Sequence, residues 1–190
     1  MEFFVRHGPG DVQGQRIHHG DEYFGFVLDC YALGDDPHNA NMLYDSCFFS
    51  RPKGCDKSGL AARIALFEAL GPCRFAGWAR GGEVYRDPWG FGFKYVFRPG
   101  EPMGKPCQTP VIRCMATEET QVGNVFETIY FNLTDDECPL SHVPGVDPGL
   151  EKVNVPNGGV IRVSTASGTA KDGGRETFAR PPAGGRRGAG

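Results

Sequence analysis

The sequence predicts an α/β fold, and three observations predict it. Residues 42–70 read as strand, loop and helix in succession. Residues 111–133 read as a compact strand followed by an amphipathic helix. Residues 153–164 are two β-rich runs around Asn157-Gly158, the strongest short hairpin signal in the chain. With 190 residues the chain is long enough to bury a core within one domain.

Taken in order, residues 2–5 form a short apolar run that the Gly8-Pro9-Gly10 turn signal ends. In "DEYFGFVLDCYAL" (21–33), Tyr23, Phe24, Val27, Leu28 and Tyr31 recur at helical spacing behind an acidic start, which predicts a short helix despite Gly25. Residues 34–39 read as a loop. "MLYDSCFFS" (42–50) has the length and aromatic content of a strand. "GLAARIALFEAL" (59–70) places Leu60, Ile64 and Phe67 on one stripe, is built of strong helix formers, and is stopped by Gly71-Pro72. The glycine, proline and aromatic density of 71–110 predicts irregular structure with a short strand at 93–97. "VIRCMA" (111–116) is a second strand. Val122, Val125, Phe126, Ile129, Tyr130 and Leu133 then share a helix face, with Thr117 at the N-cap position and Glu118 and Glu119 in the first turn. "TASGTAKDGGRETF" is polar and reads as flexible. Residues 179–190, "ARPPAGGRRGAG", contain only Ala, Arg, Pro and Gly and predict a disordered tail.

Composition narrows the function classes. The net charge of −3 gives no general footprint for nucleic acid. The seven cysteines lack the spacing of a zinc knuckle and read as small reduced core residues. No leader and no apolar run of membrane-spanning length is visible, which predicts a soluble cytoplasmic chain and deprives the sequon Asn132-Leu-Thr134 of meaning. The adjacent His18 and His19 have no matching carboxylate or cysteine cluster and read as exposed histidines. No Gly-x-Ser-x-Gly elbow occurs.

The chemistry-bearing stretch is "SRPKGCDKSG" (50–59). A phosphate loop works because backbone N–H groups at a helix N-terminus converge on phosphate, a lysine adds compact charge, and a Ser/Thr hydroxyl holds Mg²⁺. In the frame Arg51 to Ser58, Lys57 and Ser58 fall in the lysine and hydroxyl places. Arg51 and Asp56 stand where glycines are expected, and Gly54 and Cys55 lie inside the loop. Arg51 offers a planar cation for a γ-phosphate. Asp56 adds negative charge and a Cβ, although Asp tolerates the left-handed conformation. Spacing alone leaves two possibilities: a phosphate cradle, or a polar turn before a helix.

These segments together resemble a known family. "LYDSCFFSRPKGCDKSGLAARIALFEALGPCRFAGWA", "PVIRCMATEETQVGNVFETIYFNL" and "VIRVSTASGTAKDGGRETF" are similar to the N-terminal ATPase region of tailed-bacteriophage terminase large subunits, closest to those of actinobacterial phages. The likeness runs from about residue 2 to Phe178. It implies an incomplete RecA-like P-loop core with a mainly parallel sheet between helices, an adenine-side segment at 1–40, the P-loop core at 42–178, and a tail at 179–190 outside the family pattern. It implies that Gly54, Cys55, Asp56, Lys57 and Ser58 bind the phosphates of ATP, that Ser58 holds Mg²⁺, and that Arg51 is a cis-acting arginine finger. Tyr23 sits beside Glu22 where the family carries an adenine motif built on a Trp-Gln pair, which implies stacking on adenine without the glutamine. "ATEETQ" resembles the family's strand-then-helix segment ending in Gln121.

In the family, "GGRETF" leads into a hydrophobic strand ending in the Asp-Glu pair that orders Mg²⁺ and activates water. Here "ARPPAGGRRGAG" follows Phe178, a composition that an out-of-frame read through a GC-rich gene produces. The expectation is a truncated or frameshifted DNA-packaging motor component from a host bacterial cytoplasm, binding ATP with hydrolysis lost, poorly stable, and partnered by double-stranded phage DNA, portal protein and small terminase. Two alternatives are a non-catalytic remnant that touches portal or small terminase, and an unrelated P-loop kinase or α/β domain.

Overall fold

The computed structural model describes residues 1–34, 41–116, 119–165 and 178–180. It is a mixed α/β chain with three helices, α1 (Asp21–Cys30), α2 (Lys57–Leu70) and α3 (Glu119–Thr134). Strands β1 (Arg74–Trp78) and β4 (Pro102–Lys105) form one antiparallel ribbon, and β2 (Val84–Arg86) and β3 (Lys94–Val96) another. The remaining strands are β5 (Val111–Ala116), β6 (Asp147–Pro148), β7 (Lys152–Val155), β8 (Gly159–Thr165) and β9 (Phe178–Arg180). They make one five-stranded sheet in the order β6-β7-β8-β5-β9.

That sheet is half parallel, which corrects the mainly parallel expectation. β5 pairs parallel with β8 and with β9, whereas β6–β7 and β7–β8 are antiparallel. The antiparallel half follows from the expected hairpin. Asn157 and Gly158 both take positive φ, 65° and 73°, so the chain reverses in the tight turn their residue types favour. α3 supplies the crossover between β5 and the hairpin that parallel pairing requires.

α2 and α3 pack on each other and on the sheet. Ala65 and Leu66 of α2, Val125, Ile129 and Leu133 of α3, and Ile112, Val153 and Ile161 of the sheet are buried together. Val5 and Ile17 of the N-terminal segment complete this core. Asn132 ties that segment down. It is fully buried on α3, its Oδ1 accepts from the Arg6 N–H at 2.7 Å, and its Nδ2 donates to the Arg6 carbonyl at 3.0 Å. Asn132 is therefore a structural core group. Gly8 passes so close to Thr128 that no Cβ fits there.

Several expectations need correction. Residues 42–50 form no strand; they run as irregular chain, tied to the residues just after α1 by the Leu33–Met42 bridge and packed on α1 through Phe49 against Tyr23 and Phe26. A strand needs a partner for its N–H and C=O groups, and the described sheet edges, β6 and β9, are only two and three residues long. Residues 71–110 are more regular than expected, because two ribbons bracket the glycines, with β3 at 94–96 inside the expected strand. α1 ends at Cys30, three residues before the expected limit. α2 begins at Lys57 rather than at 59. Ala179 and Arg180 lie in β9, since pairing of the backbone asks nothing of the side chain, so the tail boundary at 178 is not where the sheet stops. Of the cysteines, Cys73, Cys114 and Cys138 are buried and Cys47 is exposed; the all-core expectation holds for three.

The loop expected at 34–39 falls outside the described residues except for Gly34. Thr117, Glu118 and the polar run 166–177 lie outside them, as does the remainder of the tail from 181. Among the described residues no helix is long and apolar enough to cross a membrane.

Asn132→Ala should destabilise the chain by about 1–3 kcal/mol, because the Arg6 N–H and C=O would be left buried without partners. Urea unfolding followed by circular dichroism measures it, and the loss should appear as a lower midpoint at unchanged slope.

Candidate functional site

The site grows out of the start of α2. Leu60 is the first residue of that helix whose N–H finds an intrahelical acceptor, the Asp56 carbonyl at 2.9 Å. The N–H groups of Lys57, Ser58 and Gly59 therefore have no acceptor within the helix, and they carry the positive end of its dipole. The loop reaches this end through two left-handed residues, Gly54 at φ 87° and Asp56 at φ 44°.

Asp56 does not face the loop interior. Its carboxylate lies over Gly59, where no Cβ has room, and pairs with the Arg63 guanidinium at 2.7 Å. Arg63 is 3% exposed on its side chain, so it needs an anion as much as Asp56 needs a cation. The pair spans i to i+7 along one helix face and neutralises the charge that made Asp56 awkward in a phosphate loop.

Lys57 folds back on the loop. Its Nζ donates to the carbonyls of Arg51 at 2.7 Å and Pro52 at 2.6 Å. An ammonium has three donors, so one remains. The Ser58 hydroxyl sits one residue on, half-buried in the first turn.

α1 braces the same loop from outside. The Tyr23 hydroxyl donates to the Cys55 carbonyl, and its ring packs edge-on against Phe49 at 5.1 Å. Burial raises the pKa of that phenol, which keeps it a donor. Glu22 forms an ion pair with Arg51, whose guanidinium also lies 6.0 Å from the Phe49 ring centroid. Arg51, Gly54, Cys55, Asp56, Lys57, Ser58 and Tyr23 thus come together in one place. Tyr23 acts there as a brace on the loop, with its ring edge already engaged.

Charges decide what this place can hold. Of the cations at the loop, Arg51 and Arg63 are each matched by a carboxylate, while Lys53 and Lys57 have none among the described residues. With the helix N-terminus added, the balance favours an anion.

Two histidines complete the account of the expected residues. His18 is exposed as expected. His19 is not; its ring is nearly buried, with Nδ1 2.9 Å from Glu2 Oε1, and burial lowers its pKa. No group of three metal-ligating side chains occurs among the described residues. The side chain of Gln121 lies outside them.

The roles of Arg63 and Glu22 were not anticipated from sequence. A signal existed for Arg63: it is a lone cation between Ala62 and Ile64 in an apolar helix, seven residues after an acid. For Glu22 no spacing rule applies, because its partner is on another element.

No family model matches the chain, and no curated protein or solved structure matches it either.

Asp56→Gly restores the expected glycine and should still destabilise the chain. It strands the Arg63 guanidinium, at about 3–5 kcal/mol, and regains only about 1–2 kcal/mol from relief of the left-handed backbone. Adding Arg63→Met to Asp56→Gly should recover most of that loss in urea titrations. Stabilisation by Asp56→Gly alone would show that the ion pair is idle.

Proposed function

We propose that the loop 51–58 with the start of α2 is a nucleotide-phosphate cradle, and that the chain is the ATP-binding part of a terminase-like DNA-packaging motor. The observation that carries this is the Asp56–Arg63 pair: it accounts for the departure from the glycine pattern and leaves Lys57 and three helix-end N–H groups for an anion. Under this reading Lys57 engages the β- and γ-phosphates with its remaining donor. Gly54 and Cys55 supply backbone to the curve of the loop.

The donor set fits Mg²⁺ only through the nucleotide. Ser58 offers a single hydroxyl, and Glu22 and Asp56 are both committed to arginines. Mg²⁺ keeps most of its waters and shares phosphate oxygens, so one protein hydroxyl suffices. When bound, the ion would neutralise phosphate charge. Arg51 is the finger of this scheme, and it must exchange Glu22 for a phosphate oxygen to act.

We propose binding rather than turnover. The carboxylates seen to touch the loop among the described residues are those two, and neither is free to activate water. The half-parallel sheet with α2 and α3 on it would then be part of a RecA-like core, β9 taking the place where the family's Asp-Glu strand begins. Phage DNA, portal protein and small terminase are the partners this reading brings with it.

The test is titration with a fluorescent ATP analogue and Mg²⁺. The chain should bind saturably, and Lys57→Ala should weaken binding by about tenfold or more, the worth of one charge-assisted hydrogen bond. Equal binding by both, or none by a folded chain, contradicts the proposal.

A further inference from the structure

α1 meets the segment that leads into the loop 51–58 along a line of contacts. Its half-buried residues Tyr23, Phe26, Val27 and Cys30 recur at i, i+3, i+4 and i+7, so they share one helix face. Phe49 packs on that face, with its ring centroid 5.1 Å from Tyr23 and 4.6 Å from Phe26. Beyond the helix, Leu33 bridges to Met42, and the Leu43 N–H donates to the Ala32 carbonyl at 2.7 Å. The two stretches therefore run in opposite directions, held at both ends.

Between these ends each stretch places one cysteine. Cys30 is the last residue of α1, one turn after Phe26, and Cys47 stands two residues before Phe49. Their side chains lie within hydrogen-bonding reach of each other, and both are free thiols. Cys47 is exposed and Cys30 is half-buried, so solvent reaches one sulfur of the pair while the other lies behind it.

That asymmetry sets the order in which they react. Burial, then the hydrogen bond and charge of Cys47, pushes the Cys30 thiol up to about 12. Cys30 keeps its proton while Cys47 is free, and the exposed Cys47 is the sulfur an oxidant meets first. Once Cys47 is tied up in a bond to sulfur, its charge no longer opposes ionisation of Cys30.

The remaining cysteines are placed differently. Cys73, Cys114 and Cys138 are buried. The Cys73 thiol donates to the Glu68 carbonyl at 3.5 Å and meets Cys107 through the Cys107 backbone. Burial pushes Cys73 and Cys138 up to about 11, which holds them in the unreactive thiol form.

We propose that Cys30 and Cys47 are a reversible redox site, joined as a disulfide by exchange with a small disulfide such as oxidised glutathione. The Cys47 thiolate attacks one sulfur of the small disulfide, forming a mixed disulfide and releasing one thiolate. Cys30 then loses its proton to solvent, attacks the Cys47 sulfur and expels the second thiolate. The two cysteines give up two electrons and two protons, and the small disulfide leaves as two thiols. The new bond closes a ring from Cys30 to Cys47, which restricts the unfolded chain and ties α1 to the lead-in of the loop. The site stands on its own contacts and does not rest on the phosphate-cradle reading.

Incubation of the full, folded chain with oxidised glutathione, followed by peptide mass mapping without reduction, tests it. The expected product is a peptide pair joined through Cys30 and Cys47, which dithiothreitol separates. The oxidised chain should melt at a higher temperature than the reduced chain, and reduction should reverse the shift. Cys30→Ser should stop at a glutathione adduct on Cys47, whereas Cys47→Ser should leave Cys30 unmodified. Circular dichroism checks the fold of both variants, and the mapping of the parent chain needs neither. Recovery of both cysteines as free thiols, a parent chain that stops at the Cys47 adduct, linkage of Cys47 to any other cysteine, or a Cys30–Cys47 link that forms only in urea overturns the proposal.

Discussion

The burial of α2 is the constraint on which the rest of this structure depends. Nine of its 14 residues are buried, and two of these, Arg63 and Glu68, are charged. A charge cannot be taken into an interior without a partner, so each end of the helix must recruit one. Arg63 recruits Asp56 and thereby fixes the turn into the helix. Glu68 recruits the Tyr31 hydroxyl and Arg74, each at 2.8 Å, and thereby joins the chain after α1 to the base of the β1–β4 ribbon. Burial, then the neighbouring carboxylate, pushes the Tyr31 phenol far above its usual pKa, so it remains a donor to Glu68. The packing of one helix thus positions the loop, the first helix and the ribbon.

The same constraint explains how the loop accommodates an aspartate. In a loop with free side chains, a carboxylate beside Lys57 would compete with any anionic ligand. Here its charge is spent on a guanidinium inside the helix packing. What it leaves behind is the left-handed backbone, which Asp adopts at modest cost. Glu22 and Arg51 repeat the device at the other end of the loop, with the ion pair on the surface and correspondingly weaker.

Much of this was legible from residue patterns, and the failures have physical causes. α3 and the Asn157-Gly158 hairpin could be read because their signals are local: one apolar stripe and one turn dipeptide. The placing of Lys57 and Ser58 at a helix start was legible for the same reason. Residues 42–50 have the composition of a strand, but strand formation depends on a neighbour that composition does not describe. The β1–β4 ribbon was hidden by the glycines and prolines around it, whereas the aromatic and β-branched residues at 93–97 revealed β3. The partners of Arg63 and Glu22 are matters of tertiary packing, and only the isolation of Arg63 in an apolar helix hinted at one of them.

The central claim is that an anion is held by the backbone of the loop and the first turn of α2. Amide hydrogen exchange across residues 50–60, with and without Mg²⁺ and ATP, addresses it most directly. The account predicts slower exchange at Gly54 to Gly59 on addition of nucleotide, with the β2–β3 ribbon unchanged. Unchanged exchange across 50–60 at saturating nucleotide, or protection confined to another part of the chain, would contradict it.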